Sequence, residues 1–224
     1  MQVVFISALE KEFDIMLADV FIQHGYRVYA IGSSQIEGIN LLSSDLTEAF
    51  CTLGNDTDLI DIFIDVSDER SPNDNINVRG YLNDAVIHDL YEANVVRSLA
   101  LLDTFLPLLN AGNGKRLCYI TSADASINET TAVDGFGYRM SKAALHNFLQ
   151  ITRNVLAPHG FTMRAFDPLT GSGRPEGQGI SAKLAAEAAF NYFTRRRGME
   201  RGDKLRDDEG NLVLRDAYGR QHSW

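Results

Sequence analysis

The sequence predicts an α/β chain: one doubly wound, mostly parallel sheet of about seven strands with helices on both faces. Three observations carry this. Short apolar runs rich in β-branched residues alternate with stretches whose apolar residues recur at helical spacing. The 224 residues are 45% hydrophobic and 23% charged, which suits a single sizeable core and excludes a disordered chain. No linker-like stretch interrupts the first 197 residues, so residues 1–224 read as one domain.

Val3 to Ile6 is a short apolar run and reads as a buried first strand. Phe13, Met16, Leu17, Val20 and Phe21 follow at helical spacing, and Gly25 stands where that helix stops. Tyr26 to Ile31, Ile39 to Leu42 and Leu59 to Val66 read as the second, third and fourth strands. A long helix is predicted from about Tyr81 to Leu109. The turn signal Gly112-Asn113-Gly114 precedes a fifth strand, Leu117 to Thr121. A helix over Tyr138 to Leu156 ends at Pro158-His159-Gly160, and Phe161 to Phe166 is the sixth strand. An alanine-rich helix is predicted over Ser181 to Arg197, then a hairpin-like Asp208-Glu209-Gly210-Asn211 before Leu212-Val213-Leu214. Right-handed crossovers turn this alternation into a Rossmann-like sheet.

Composition narrows the function classes. With 21 basic and 30 acidic residues the formal net charge is −9, which argues against nucleic acid as a partner. No segment reaches the roughly 18 apolar residues of a membrane span, and Met1 to Ile6 lacks the basic flank of a signal peptide. Cys51 and Cys118 supply neither a disulfide framework nor a zinc site, and the five histidines show no metal-ligand spacing. The expectation is a cytoplasmic chain without bound metal, its histidines lying at surfaces or helix ends.

Tyr138-Arg139-Met140-Ser141-Lys142 is the most informative stretch. Positions i and i+4 share a helix face, so the Lys142 ammonium is expected near the Tyr138 phenol. A nearby positive charge favours phenolate and lowers a pKa that is ordinarily about 10. Such a pair suits proton transfer near neutral pH. The strand before this helix ends in Ile120-Thr121-Ser122, a hydroxyl at the end where open α/β sheets bind ligands, and Asn94 lies inside the preceding helix.

Through these residues the chain resembles the short-chain dehydrogenase/reductase family, and its C-factor/sniffer-like branch in particular. The resemblance spans nearly the whole chain, including Ser122 to Gly137 and Tyr138 to Leu145. It implies that Asn94, Ser122, Tyr138 and Lys142 are the catalytic tetrad of an oxidoreductase interconverting a small carbonyl and an alcohol. Tyr138 would exchange the proton, Lys142 would lower the Tyr138 pKa and hold the nicotinamide ribose, and Ser122 would orient the substrate oxygen. Asn94 would hold a relay water. Ser7, Lys11, Phe13, Asp45, Leu46, Tyr138, Lys142 and Pro168 fall on cofactor-binding positions, Asp45 on an adenine contact. A homodimer or homotetramer is implied, built through the helices at about 81–109 and 138–156.

The cofactor half departs from the family. Its Thr-Gly-x-x-x-Gly-x-Gly loop reads Ser7-Ala8-Leu9-Glu10-Lys11-Glu12-Phe13-Asp14, without a glycine and with three carboxylates. A carboxylate about 6 Å from a phosphate costs roughly 3 kcal/mol at an effective dielectric near 20. Ser7 and Glu10 also resemble a capping box, a sound helix start that needs no phosphate. The family's Asn-Asn-Ala-Gly reads Asp65-Val66-Ser67-Asp68. Lys11, and the lack of an acidic residue after the second strand, favour NADP(H) over NAD(H). The alternative is a chain that has lost dinucleotide binding and serves ligand or partner binding.

Two further stretches read as structural. Gly171 to Gly179 is a loop, in a reductase the lid over the substrate with Arg174 facing an anionic group. Arg195-Arg196-Arg197 suits a helix C-terminus. Cys118 is a core residue.

Overall fold

The computed structural model describes residues 1–33, 36–75, 77–170, 179–195 and 212–224. Eight strands form one sheet in the order β3-β2-β1-β4-β5-β6-β7-β8. They are β1 (Val3–Ile6), β2 (Arg27–Ile31), β3 (Ile39–Leu42), β4 (Ile62–Asp65), β5 (Arg116–Ile120), β6 (Thr162–Asp167), β7 (Leu214–Asp216) and β8 (Gln221–His222). All neighbours pair in parallel except β7 and β8, which form an antiparallel hairpin. The expected doubly wound sheet is therefore present, with one strand more than the sequence suggests. The extra strand is the two-residue β8, too short to leave a periodicity. The hairpin turn lies between Asp216 and Arg220, where the Asp216 carboxylate accepts from the Tyr218 and Arg220 amides. The predicted turn at Asp208 to Asn211, the loop 171–178 with Arg174, and Arg196-Arg197 lie outside the described residues.

Strand residues alternate between two cores because successive side chains face opposite ways. Phe5, Phe63, Leu117 and Tyr119 pack with α2 (Leu46–Asp56), α4 (Arg97–Ala111) and α5 (Phe136–Leu156). Val4, Ile64, Cys118 and Ile120 pack on the other face with α1 (Glu12–Gln23) and α6 (Ala182–Thr194). Each such buried side chain contributes roughly 1.5–3 kcal/mol. Phe21 of α1 meets Phe190 of α6 edge to face at 4.9 Å, fixing these helices against each other. Helix α6 stops at Thr194, three residues before the predicted end at Arg197, with Arg195, the first of the arginine run, as its C-cap.

The long helix predicted from Tyr81 begins three residues later, at α3 (Asp84–Tyr91), capped by the Asn83 side chain. It passes through a π-helical turn, Glu92–Val96, before α4. Helix α2 is an addition to the predicted elements; it packs beside β3 and against α4. The turn signal before β5 has a packing reason. A Cβ on Gly112 would stand 1.9 Å from the Ile60 carbonyl oxygen, and the buried Asp61 carboxylate accepts from the Asn113, Gly114 and Val3 amides. That carboxylate ties the turn to the start of β1.

Candidate active site

The strand order reverses between β1 and β4, and a cleft of about 510 Å³ opens beyond the carboxyl ends of these strands. Lys11, Phe13, Asp14, Asp68, Arg70 and Pro168 are among the residues lining it. Two stretches bound it. The turn between β1 and α1 forms one end, and the segment after β4 meets α5 at the other.

At the second end, β5 delivers Ser122 and the first turns of α5 deliver Tyr138 and Lys142. All three are buried. Ser122 donates to the Asp167 carboxylate at 3.4 Å and accepts from the Asp124 amide at 3.2 Å. Lys142, fully buried, donates to the Ser67 and Ile120 carbonyls and lies 5.9 Å from the Tyr138 ring centre. The i, i+4 expectation thus holds in placement.

Its electrostatic consequence is reversed. The Tyr138 hydroxyl donates to Asp68 Oδ1 at 2.7 Å, and the same oxygen stands 3.1 Å from Lys142 Nζ. Burial, then the Asp68 charge, push the phenol well above its ordinary range, against the lowering effect of Arg70. Burial pulls the Lys142 ammonium down against the opposing pull of Asp68. Asp68 is itself penalised by burial, yet Lys142 and then Arg70 hold its carboxyl below the usual range. Arg70 lies flat over the Tyr138 ring at 3.7 Å, donates to the phenol oxygen at 2.7 Å, and pairs with Asp124 at 3.2 Å. Asp68 and Arg70 thus stand between the cleft and the groups predicted to move a proton.

The position of this segment follows from Asn94. In the π-helical turn, Asn94 is fully buried; its Oδ1 accepts from the Glu69 amide at 2.8 Å. Its Nδ2 donates to the Glu69 carbonyl at 2.9 Å and to Ser141 at 3.1 Å. The side chain clamps the backbone one residue past Asp68 to helix α5. Lys11 adds a second clamp, donating to the Asp68 carbonyl and pairing with Glu69 at 3.0 Å.

The other end of the cleft is built differently from the sequence expectation. The helix begins four residues later than the Ser7 cap would place it, with Lys11 as N-cap. Asp14 Oδ2 accepts from the Lys11 amide at 3.0 Å and the Glu10 amide at 3.3 Å. The capping carboxylate is Asp14, not Glu10, and it is buried rather than free to swing. Burial lifts its pKa from 3.8 to about 6, although the Lys11 and Glu10 amides oppose this. Ser7 points away from the cleft: it donates to Asp65 at 2.9 Å and accepts from the Val66 amide, joining β1 to β4. Asp45 caps α2 through the Glu48 amide, and Leu46 packs on the core, so neither is among the cleft-lining residues.

His146 corrects the expectation for the histidines. It is a buried residue of α5, bonds Thr121 at 2.7 Å and meets the Trp224 ring edge-on at 4.3 Å; burial, then Lys142, push its pKa down to about 3. Cys118 is buried as expected, its thiol pushed up to about 12. Among the described residues no group of three or more His, Cys, Asp or Glu is placed to hold a metal ion, and no helix is long and apolar enough to cross a membrane. Sequence reasoning missed Asp68 and Arg70. Their signal was the run Asp68-Glu69-Arg70 directly after a buried strand, where a glycine was expected.

No family model matches the chain, and no curated protein is similar to it in sequence. Solved structures do match along its whole length. The carbonyl reductase Sniffer of D. melanogaster superposes with a TM-score of 0.80 at 15% identity, covering 100% of both chains. The NADPH-bound carbonyl reductase from chicken fatty liver gives 0.79 at 13%, again covering 100% of both. A carbonyl reductase from Pseudomonas aeruginosa PAO1 in complex with NADP gives 0.74 at 18%, with the same coverage. The chain has the fold of the short-chain dehydrogenases and reductases.

Proposed function

We propose that the protein is an oxidoreductase of the short-chain type, interconverting a small carbonyl compound and its alcohol with NADP(H) in preference to NAD(H). The observation that carries this is the meeting of the Tyr138 hydroxyl and the Lys142 ammonium on Asp68 Oδ1, a carboxylate of the cleft wall. The solved structures that share the fold include reductases bound to NADP and NADPH.

A dinucleotide fits the cleft in part. The volume is adequate, Lys11 and Arg70 are cations on its wall, and Phe13 and Pro168 offer apolar surface. Two features stand against it: Asp14 already takes the Lys11 and Glu10 amides, and Asp68 already takes Tyr138 and Lys142. The Asp68 side chain must turn away for the site to work. When bound, the nicotinamide supplies or accepts the hydride. Tyr138 then gives the proton from its hydroxyl to the carbonyl oxygen during reduction and takes it back during oxidation. Ser122 orients that oxygen. Lys142 stabilises the developing phenolate, an effect that grows once Asp68 leaves. Asn94 acts through the segment it clamps, holding Glu69, and with it Asp68, against α5.

Calorimetric titration with NADPH and then NADH tests the reading. Micromolar binding of NADPH supports it, and no binding at millimolar cofactor overturns it. The same occupation of Tyr138 and Lys142 by Asp68 favours a second reading, a non-catalytic relative that binds a ligand or partner in this cleft. Turnover lost in Tyr138→Phe separates the two. The proposal takes residues 1–224 as one cytoplasmic domain that assembles as a homodimer or homotetramer; a monomeric mass by light scattering overturns the assembly.

A further inference from the structure

The Asp68 carboxylate is a ligand that the chain supplies to itself. It accepts a hydrogen bond from the Tyr138 hydroxyl at 2.7 Å and lies 3.1 Å from the ammonium of the fully buried Lys142. The Arg70 guanidinium reaches the same phenol oxygen at 2.7 Å. One hydroxyl donor and one ammonium therefore converge on Asp68 Oδ1, with the Arg70 guanidinium beside them on the phenol oxygen. Tyr138 and Lys142 stand on a regular helix, whereas Asp68 and Arg70 stand on a connecting segment. Asp68 is about one-fifth exposed at the cleft wall, so its exit leads into the cleft and not through the core.

We infer that the Tyr138–Lys142–Arg70 cluster is a binding site for a small external carboxylate, which displaces Asp68 and occupies its place. Burial drives the exchange. A buried ammonium that loses its partner is strongly destabilising, so Lys142 demands an anion whenever Asp68 swings out. A carboxylate meets that demand with the geometry already present, and the cavity left by the Asp68 side chain has the dimensions of such a group. The chain's own occupant is a carboxylate, whose Oδ1 takes the Tyr138 hydroxyl and the Lys142 ammonium at once.

Joined to the oxidoreductase reading, on which this step rests, the site selects its substrate class. A 2-oxo acid presents a carbonyl oxygen beside a carboxylate in one plane. It satisfies the Tyr138 hydroxyl with the first and the cations with the second, and the corresponding product is a 2-hydroxy acid.

The test is chemical rescue of Asp68→Ala, read by thermal unfolding. Sodium formate should raise the melting temperature of this variant by about 3–6 °C over sodium chloride at equal ionic strength, the shift for a domain of this size at tenfold the dissociation constant. Wild type should show no such rise, and the double variant Asp68→Ala/Lys142→Met should lose it. If Asp68→Ala does not fold in chloride, refolding yield in formate against chloride replaces the melting curve; equal yields, including none in either, overturn the site. Equal rescue by chloride overturns carboxylate specificity. Formate rescue without NADPH binding leaves the carboxylate site standing while the oxidoreductase reading falls. With NADPH bound and turnover measurable, faster reduction of neutral aldehydes than of pyruvate or glyoxylate overturns the substrate class.

Discussion

The two ends of the cleft solve opposite problems. At the α5 end, the side chains suited to proton transfer are all present, and the chain covers them with Asp68 and Arg70. At the α1 end, the groups suited to hold a phosphate are gone, and Asp14 closes the helix start from within. The first end is occupied but exchangeable, since only one side chain has to move. The second is rebuilt, because the capping carboxylate comes from the helix itself. The contrast separates a carboxylate that reaches its partners from another segment and one that closes its own helix start.

Four measurements break or sharpen this contrast. The largest effect is expected at the α5 end. Tyr138→Phe should lower turnover by about 10²- to 10⁴-fold, the range for a positioned general acid, while leaving NADPH binding unchanged. Steady-state kinetics beside calorimetry check it, and retained turnover would move the proton-transfer role off Tyr138.

The next concerns the α1 end. Asp14 titrates at about 6 in the fold against 3.8 in the unfolded chain. Its stabilising contribution is therefore full below about pH 4 and lost as the pH rises through 6, on the order of 3 kcal/mol. Urea unfolding from pH 4 to 7 should show this loss in wild type and not in Asp14→Asn. His146 works in the opposite sense: its depressed value gives stability above about pH 6.5 that is lost toward pH 3. The difference between the two proteins cancels it.

A smaller effect returns to the α5 end. Asn94→Ala removes both bonds to the Glu69 backbone and should cost about 1–3 kcal/mol. Amide exchange at Glu69 should accelerate well beyond that of β5. Unchanged exchange would show that Lys11 alone holds the segment. The smallest effect is at Glu12, a carboxylate on the cleft wall. Glu12→Gln should tighten NADPH about tenfold or less, a side chain at the surface being well screened. No change would place the phosphates elsewhere.

Much of the fold was legible because its pattern is local. The apolar runs of β1, β4 and β5 and the helical spacing of α1 and α5 each follow from burying one face or two. Helix α2, the hairpin of β7 and β8, and the true N-cap of α1 were not, because each depends on packing between elements or on a single carboxylate's direction. In the site, Tyr138 and Lys142 were found by spacing and Ser122 by its place at a strand end; the first two share one face of α5. Asp68 and Arg70 were not found, since no spacing rule links a segment after β4 to a helix 70 residues later.

The sequence alone therefore determined the layer order, the strand that ends at Ser122 and the shared face of Tyr138 and Lys142, all consequences of periodicity. The tertiary structure decided what those groups touch. It brought an acid from another crossover onto the phenol and the ammonium, buried those two, and so turned an expected lowering of the Tyr138 pKa into a rise. The physical reason is that periodicity fixes which way a side chain faces, whereas its charge state is set by burial and by neighbours that only folding brings near.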